Sequence, residues 1–155
     1  MFLDALALLS DAQSSTVSVA STDYLDLDLL KDAAGNTTFA TTGQQYNGCF
    51  FVFRVDTAFT SSGTTTCTIQ LQSSNDSSFL DSTTVTLAAS SAFTASQLTA
   101  GKMWVARIPP TGVKRYVRGY KVMSANTGAN YWTACVYDMF ITPDVDVAVA
   151  QRYVL

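Results

Sequence analysis

Nothing in this chain supplies the usual means of moving a proton near neutrality. Its 155 residues include no histidine, and every acid is an aspartate. Enzymes working near neutral pH lean on imidazole or on a glutamate of raised pKa. The nearest approach to a cation site is the set Asp23, Asp26 and Asp28, followed by Asp144 with Asp146. Asp26 and Asp28 stand two apart, so on a strand they share a face, and calcium is bound by several carboxylate and carbonyl oxygens. No EF-hand loop surrounds them and no glycine is placed to turn one, so the pair reads as the wet side of a strand. The NDSS stretch at 75–78 reads in the same way as turn chemistry. A Ser, Thr or Cys nucleophile needs a base beside it. The chain has no GxSxG elbow, no SxxK, no GxGxxG and no Walker loop, although composition alone leaves a Ser–Lys pair open. The expectation is a protein that is not an enzyme and that needs no cofactor and no metal.

Three cysteines, Cys49, Cys67 and Cys135, lie far apart without a CxxC pair, each among apolar residues of an expected strand. They read as buried thiols acting as small hydrophobes, which implies a reducing compartment of folding.

The residues suited to contact crowd into the last third. Trp104, Tyr116, Tyr120, Tyr131, Trp132, Tyr137 and Tyr153 lie there, with Lys102, Arg107, Lys114, Arg115, Arg118, Lys121 and Arg152. Tyr, Trp and Arg are the side chains that anchor protein interfaces. The candidate contact residues here are Tyr116, Arg118, Tyr120 and Trp132, while Tyr137 and at least one tryptophan are assigned to the core. Two other readings stay open: the aromatics line a sugar-binding face, and the basic residues simply mark a solvated strand and turn. The net charge of -3 and the lack of a long basic run argue against nucleic acid. No apolar run approaches a membrane span, and the opening MFLDALALLS lacks the basic start of a signal peptide, so a soluble protein is expected. Both ends nevertheless carry apolar side chains: Phe2, Leu3, Leu6, Leu8 and Leu9 at one, Tyr153, Val154 and Leu155, next to Arg152, at the other. Such ends either dock on a neighbouring chain or fold back on their own domain.

The elements that must carry these residues are strands. Thr, Ser, Val, Tyr and Phe dominate, with Ser and Thr together making up roughly a quarter of the chain, and these types suit pleated surfaces. Period two runs through Val17 and Val19, then Leu25, Leu27 and Leu29. It recurs in TCTIQLQ, where Cys67, Ile69 and Leu71 point inward, in STTVTLAA with Val85 and Leu87 inward, and in RYVRGYKVMS with Val117 opposite Tyr116, Arg118 and Tyr120. GCFFVFRVDTAF is apolar on both faces, which places it centrally in a sandwich or against another subunit. GKMWVARIPP ends at its prolines and YWTACVYDMFITP at Pro143. Short strands with Gly, Pro and Asn turns predict an all-β fold, an antiparallel jelly-roll or β-sandwich of about eight strands. The expected organisation is an N-terminal arm over 1–15, the β domain over 16–143 and a C-terminal arm over 144–155, with a polar loop over 32–47.

The phrases DALALLSDAQ, STDYLDL, VDTAFTSSGTTTCTIQLQSSNDSSF and IPPTGVKRYVRGY, taken in that shared order, resemble the capsid cement proteins of tailed bacteriophages, of the type found on short-tailed Bordetella-phage-like capsids. The resemblance spans nearly the whole chain and is weakest over 32–47, where the loop is long for the pattern, and over the final dozen residues. It implies a jelly-roll domain that forms homotrimers on the outside of an icosahedral head, clamping capsomers of a major capsid protein near threefold positions. It implies no catalytic residues, and a protein made in the host bacterial cytoplasm and carried on the virion.

Overall fold

A computed structural model of the chain describes residues 8–27, 49–109, 111–124 and 130–142. Within them lie ten strands: β1 (Leu8–Ser14), β2 (Val19–Ala20), β3 (Leu25–Asp26), β4 (Phe50–Ser62), β5 (Thr66–Ser74), β6 (Val85–Ala89), β7 (Phe93–Thr94), β8 (Met103–Arg107), β9 (Tyr116–Met123) and β10 (Tyr131–Thr142). A 3-10 turn at Ala95–Gln97 lies between β7 and β8. One sheet has the order β1-β10-β4-β8. The other has β2-β9-β5-β6, with β3 continuing along β9 and β7 along β5.

All pairings are antiparallel, and they nest. β1 pairs β10, β2 and β3 pair β9, β4 pairs β8, and β5 pairs β6 and β7. That is a long hairpin of eight strand positions rolled into two sheets, closed by the additional pairs β4·β10 and β5·β9. This is jelly-roll connectivity, and it explains why β4, β5, β9 and β10 are central while short strands take the edges.

The alternations in the sequence set which side chains enter the core. β5 buries Cys67, Ile69 and Leu71, and β9 buries Val117, Gly119, Lys121 and Met123. From the facing sheet come Phe51, Phe53, Val55, Phe59, Trp132, Cys135, Tyr137, Met139 and Ile141. The double-sided character of β4 follows from its central place. Its inner face fills the main core, while Val52 on its outer face is buried with Phe140 in a second, smaller cluster against Leu8, Phe50, Met103 and Val105. The prolines act as expected, since β8 stops at Arg107 and Ile108 is the last buried residue before Pro109.

Three expectations need correction. Residues 8–14 are not an arm: they form edge strand β1, with Leu9 in the core, and Asp23 N–H bonded back to Leu9 C=O at 2.9 Å. Val17 lies outside any strand and is 57% exposed, so the alternation that begins at Val19 does not reach it. Val85 is 37% exposed rather than inward, because an irregularity between the pairs Leu71↔Ala88 and Gln72↔Thr86 resets the alternation of edge strand β6 and leaves Leu87 half-buried against the core. The apolar ends at 1–7 and 144–155 and the loop over 32–47 lie outside the described residues.

Candidate contact face

β9 alternates strictly, so burying Val117, Gly119, Lys121 and Met123 obliges Tyr116, Arg118, Tyr120 and Val122 to stand on the outer face of their sheet. The neighbouring β5 presents Thr68, Gln70 and Gln72 on that same face. Arg118 is its centre. Its guanidinium carbon sits 4.2 Å from the centroid of the Phe79 ring and 5.1 Å from that of Tyr120. Its Nε donates to Gln72 Oε1 at 3.0 Å, and Gln72 Nε2 in turn donates to Gln70 Oε1 at 3.0 Å. Two rings and an amide therefore hold a long, flexible side chain in one orientation, which removes in advance much of the entropy cost of binding with it. Burial between the rings lowers the Arg118 pKa, a change that leaves a guanidinium charged near neutrality. No carboxylate meets Arg118 among the described residues.

Phe79 reaches the sheet because of its turn. Asp76 accepts from Ser78 N–H at 3.1 Å through its side chain and from Phe79 N–H at 3.1 Å through its carbonyl. Phe79 itself takes φ of 56°, a left-handed backbone uncommon for a bulky residue. That turn buries the Phe79 ring and leaves the next residue, Leu80, 89% exposed. Asp81 steadies the following stretch by accepting from the hydroxyls of Thr83, Ser74 and Thr84, bonds that hold its carboxyl below the ordinary carboxylate range.

The row continues past Tyr116. Tyr24 meets it edge-on at 5.4 Å, and Arg115 lies 4.8 Å over its ring while holding Asp26 in a two-pronged ion pair at 3.0 and 2.9 Å. The Asp26 carboxylate is thus committed to an arginine. Among the described residues no group of acids and cysteines is gathered to hold a metal ion. Asp28 lies outside them.

The contact residues chosen from sequence divide. Tyr116, Arg118 and Tyr120 come together on one face. Trp132 does not join them: it is 3% exposed, on the inner side of β10, with its ring edge-on to Phe59 at 5.8 Å. An indole has enough apolar area to be taken into a core even though its N–H finds no acceptor there. Trp104 is half-buried and packs edge-on against Phe51 at 5.9 Å. Trp132, enclosed in the core, offers no open face for sugar stacking. Phe2, Leu3, Leu6, Arg152 and Tyr153 lie outside the described residues. Phe79, Tyr24 and Gln72 were missed. A turn signal before Phe79 was visible, but nothing local announces that the turn folds its ring onto Arg118.

Lys121 is the larger surprise. Grouped by sequence with the basic face, it is fully buried on the opposite side of β9. Its ammonium nitrogen donates to Ser15 C=O, lies 3.3 Å from Cys135 Sγ, and sits 4.6 Å from the Tyr137 ring centroid and 5.7 Å from that of Phe59. Burial lowers its pKa, opposed by the neighbouring Cys135 thiol. Burial also pushes the Cys67 thiol up to about 12 and raises Tyr137. Cys67 and Cys135 are buried and free, as read from sequence, whereas Cys49 is half-buried.

Tyr116, Arg118 and Tyr120 thus stand locked among their neighbours on an antiparallel scaffold. No curated protein matches the chain. The Bbp16 family model matches residues 9–141, from the first core leucine of β1 to the last core isoleucine of β10, and by that span the chain belongs to the Bbp16 family of phage proteins.

Proposed function

We propose that this protein is a capsid cement: a homotrimer on the outer surface of an icosahedral phage head that grips the major capsid protein and performs no reaction. The observation that carries the reading is Arg118, a charged side chain clamped between Phe79 and Tyr120 that meets no carboxylate among the described residues. An arginine fixed among aromatic rings is the kind of anchor on which binding energy concentrates. Family membership supports a virion setting. A ligand that binds only the mature arrangement of capsomers stabilises that arrangement by mass action, and three linked copies release slowly even when each contact is modest.

The test is rebinding to heads stripped of the protein. Wild-type chain is expected to sediment as a trimer, to reoccupy the heads and to raise their resistance to heat. Arg118→Ala and Tyr120→Ala should each lower occupancy while the far-ultraviolet circular dichroism stays that of the wild type. A monomer that never associates with heads overturns the reading, and full occupancy by both variants removes this face from it.

A further inference from the structure

We propose that Lys121 and Cys135 are the two ends of a covalent N–O–S bridge, formed with dioxygen, that rivets one sheet of the sandwich to the other. The inference concerns the core of the domain and does not depend on the cement reading.

The register on both strands brings the pair together. Inward alternation on β9 delivers Lys121, and inward placement on β10 delivers Cys135, from opposite sheets. The amine nitrogen and the thiol sulfur stand 3.3 Å apart, and both donate to one acceptor, the Ser15 carbonyl, which holds them side by side. Both residues are essentially inaccessible to solvent. A lysine is seldom carried into a core without a carboxylate, and among the described residues none meets this one. Its surroundings are the rings of Tyr137 and Phe59 and two thiols. Desolvation favours the neutral amine, the form with a lone pair to give.

The step balances. Cys135 gives up its S–H hydrogen and Lys121 one N–H hydrogen. One atom of dioxygen becomes the bridge between Sγ and Nζ, and the other leaves with both hydrogens as water. Sulfur and nitrogen each lose two electrons, and dioxygen takes all four. Dioxygen is small and apolar enough to enter a packed interior, and the flexible lysine stem can close the remaining gap. The other inward thiol, Cys67, acts on Lys121 only through its charge, whereas Cys135 also holds it in a hydrogen bond. The bridge closes the loop between β9 and β10 and restricts the unfolded chain, so the oxidised protein melts at a higher temperature than the reduced one.

The full chain is purified under argon with dithiothreitol, then half is equilibrated with air after removing the reductant. Expected is an intact mass about 14 Da heavier in the aerated half, one oxygen gained and two hydrogens lost. A proteolytic species joining the segments that carry Lys121 and Cys135 should accompany it. Dithiothreitol should reverse both, together with the gain in melting temperature. Cys67→Ser should keep the added mass and Cys135→Ser should abolish it; if Cys135→Ser fails to fold, the wild-type masses decide alone. An unchanged mass overturns the proposal. So does a loss of about 2 Da with a Cys67–Cys135 disulfide, or added mass that survives dithiothreitol.

Discussion

Gly119 of β9 and Met139 of β10 face one another across the sandwich with no room for a side chain between them. A β-carbon at Gly119 would run into Met139 Sδ and approach Phe51 Cζ to 3.3 Å. The glycine in RYVRGYKVMS is therefore set by the distance between the sheets and not by a turn. Replacing it by Val should destabilise the domain by about 1–3 kcal/mol, the usual cost of forcing extra volume into a packed core. Gly119→Ala should cost less, because the nearest obstacle is the end of a flexible methionine. Urea unfolding monitored by tryptophan fluorescence measures both, and an unchanged midpoint for Gly119→Val would contradict the close approach.

On the opposite side of the same strand, Arg118 separates charge from shape. Lysine at this position keeps the charge but loses the planar group that lies against Phe79 and Tyr120 and the Nε donor to Gln72. Arg118→Lys should therefore weaken attachment to heads nearly as much as Arg118→Ala. Phe79→Ala should weaken it too, by releasing the guanidinium, at an additional stability cost for a buried ring. Occupancy of stripped heads at graded protein concentration reads this out, and near-normal binding by Arg118→Lys would mean that charge alone suffices.

The strict alternations are what made β5 and β9 legible, since a strand with one polar side has a single workable register. The all-β class and the face shared by Tyr116, Arg118 and Tyr120 followed from them. The same alternation, followed one residue further, puts Lys121 inside; the side chain's charge argued for the surface, and here register outweighs residue type. Val85 was misplaced because edge strand β6 loses its alternation at the irregularity beside Leu71, and a period-two pattern carries no mark of that. Trp132 and Leu8–Ser14 were misjudged for a shared reason. Aromatic or apolar side chains answer equally well to a core and to a partner, and only the strand order decides between them.

Asp138 ties three strands on the outer side of the first sheet. Its Oδ1 accepts Ala12 N–H at 2.8 Å, and its Oδ2 accepts Arg54 Nε at 2.9 Å as well as the Arg54 Nη2 donor. Asp138 is 5% exposed, and Ala12, with φ of 46°, depends on that carboxylate for its backbone bond. Asp138→Ala should cost about 1–3 kcal/mol by leaving a donor unmet. Arg54→Ala should cost less, since Arg54 is partly solvated. Faster hydrogen exchange across β1 in Asp138→Ala is the specific sign; uniform exchange throughout the domain would place the effect elsewhere.

Buried Lys121 and Cys67 give stability opposite dependences on pH. The folded pKa of Lys121 lies below its ordinary 10.5, so unfolding takes up a proton in the window between the two; the stability linked to it is fullest above 10.5 and is lost as pH falls through that window. Cys67 has a folded pKa raised from 9.0 to about 12, so its contribution is complete below about 9 and is lost as pH rises toward 12. Tyr137, raised from 10.0, adds to that loss at the top of the range. Just below 10.5 the lysine and the thiol oppose one another, and above 10.5 only the destabilising groups still act. Reduced wild-type protein should therefore unfold steeply on the alkaline side, with Cys67 contributing on the order of a few kcal/mol. Cys67→Ala should flatten that limb. Lys121→Met, which keeps the length and removes the buried amine, should gain most on the wild type near neutrality and least near pH 10.5. Urea midpoints measured from pH 7 to 11 under dithiothreitol test both, and parallel curves for all three proteins would show that neither group titrates inside the core.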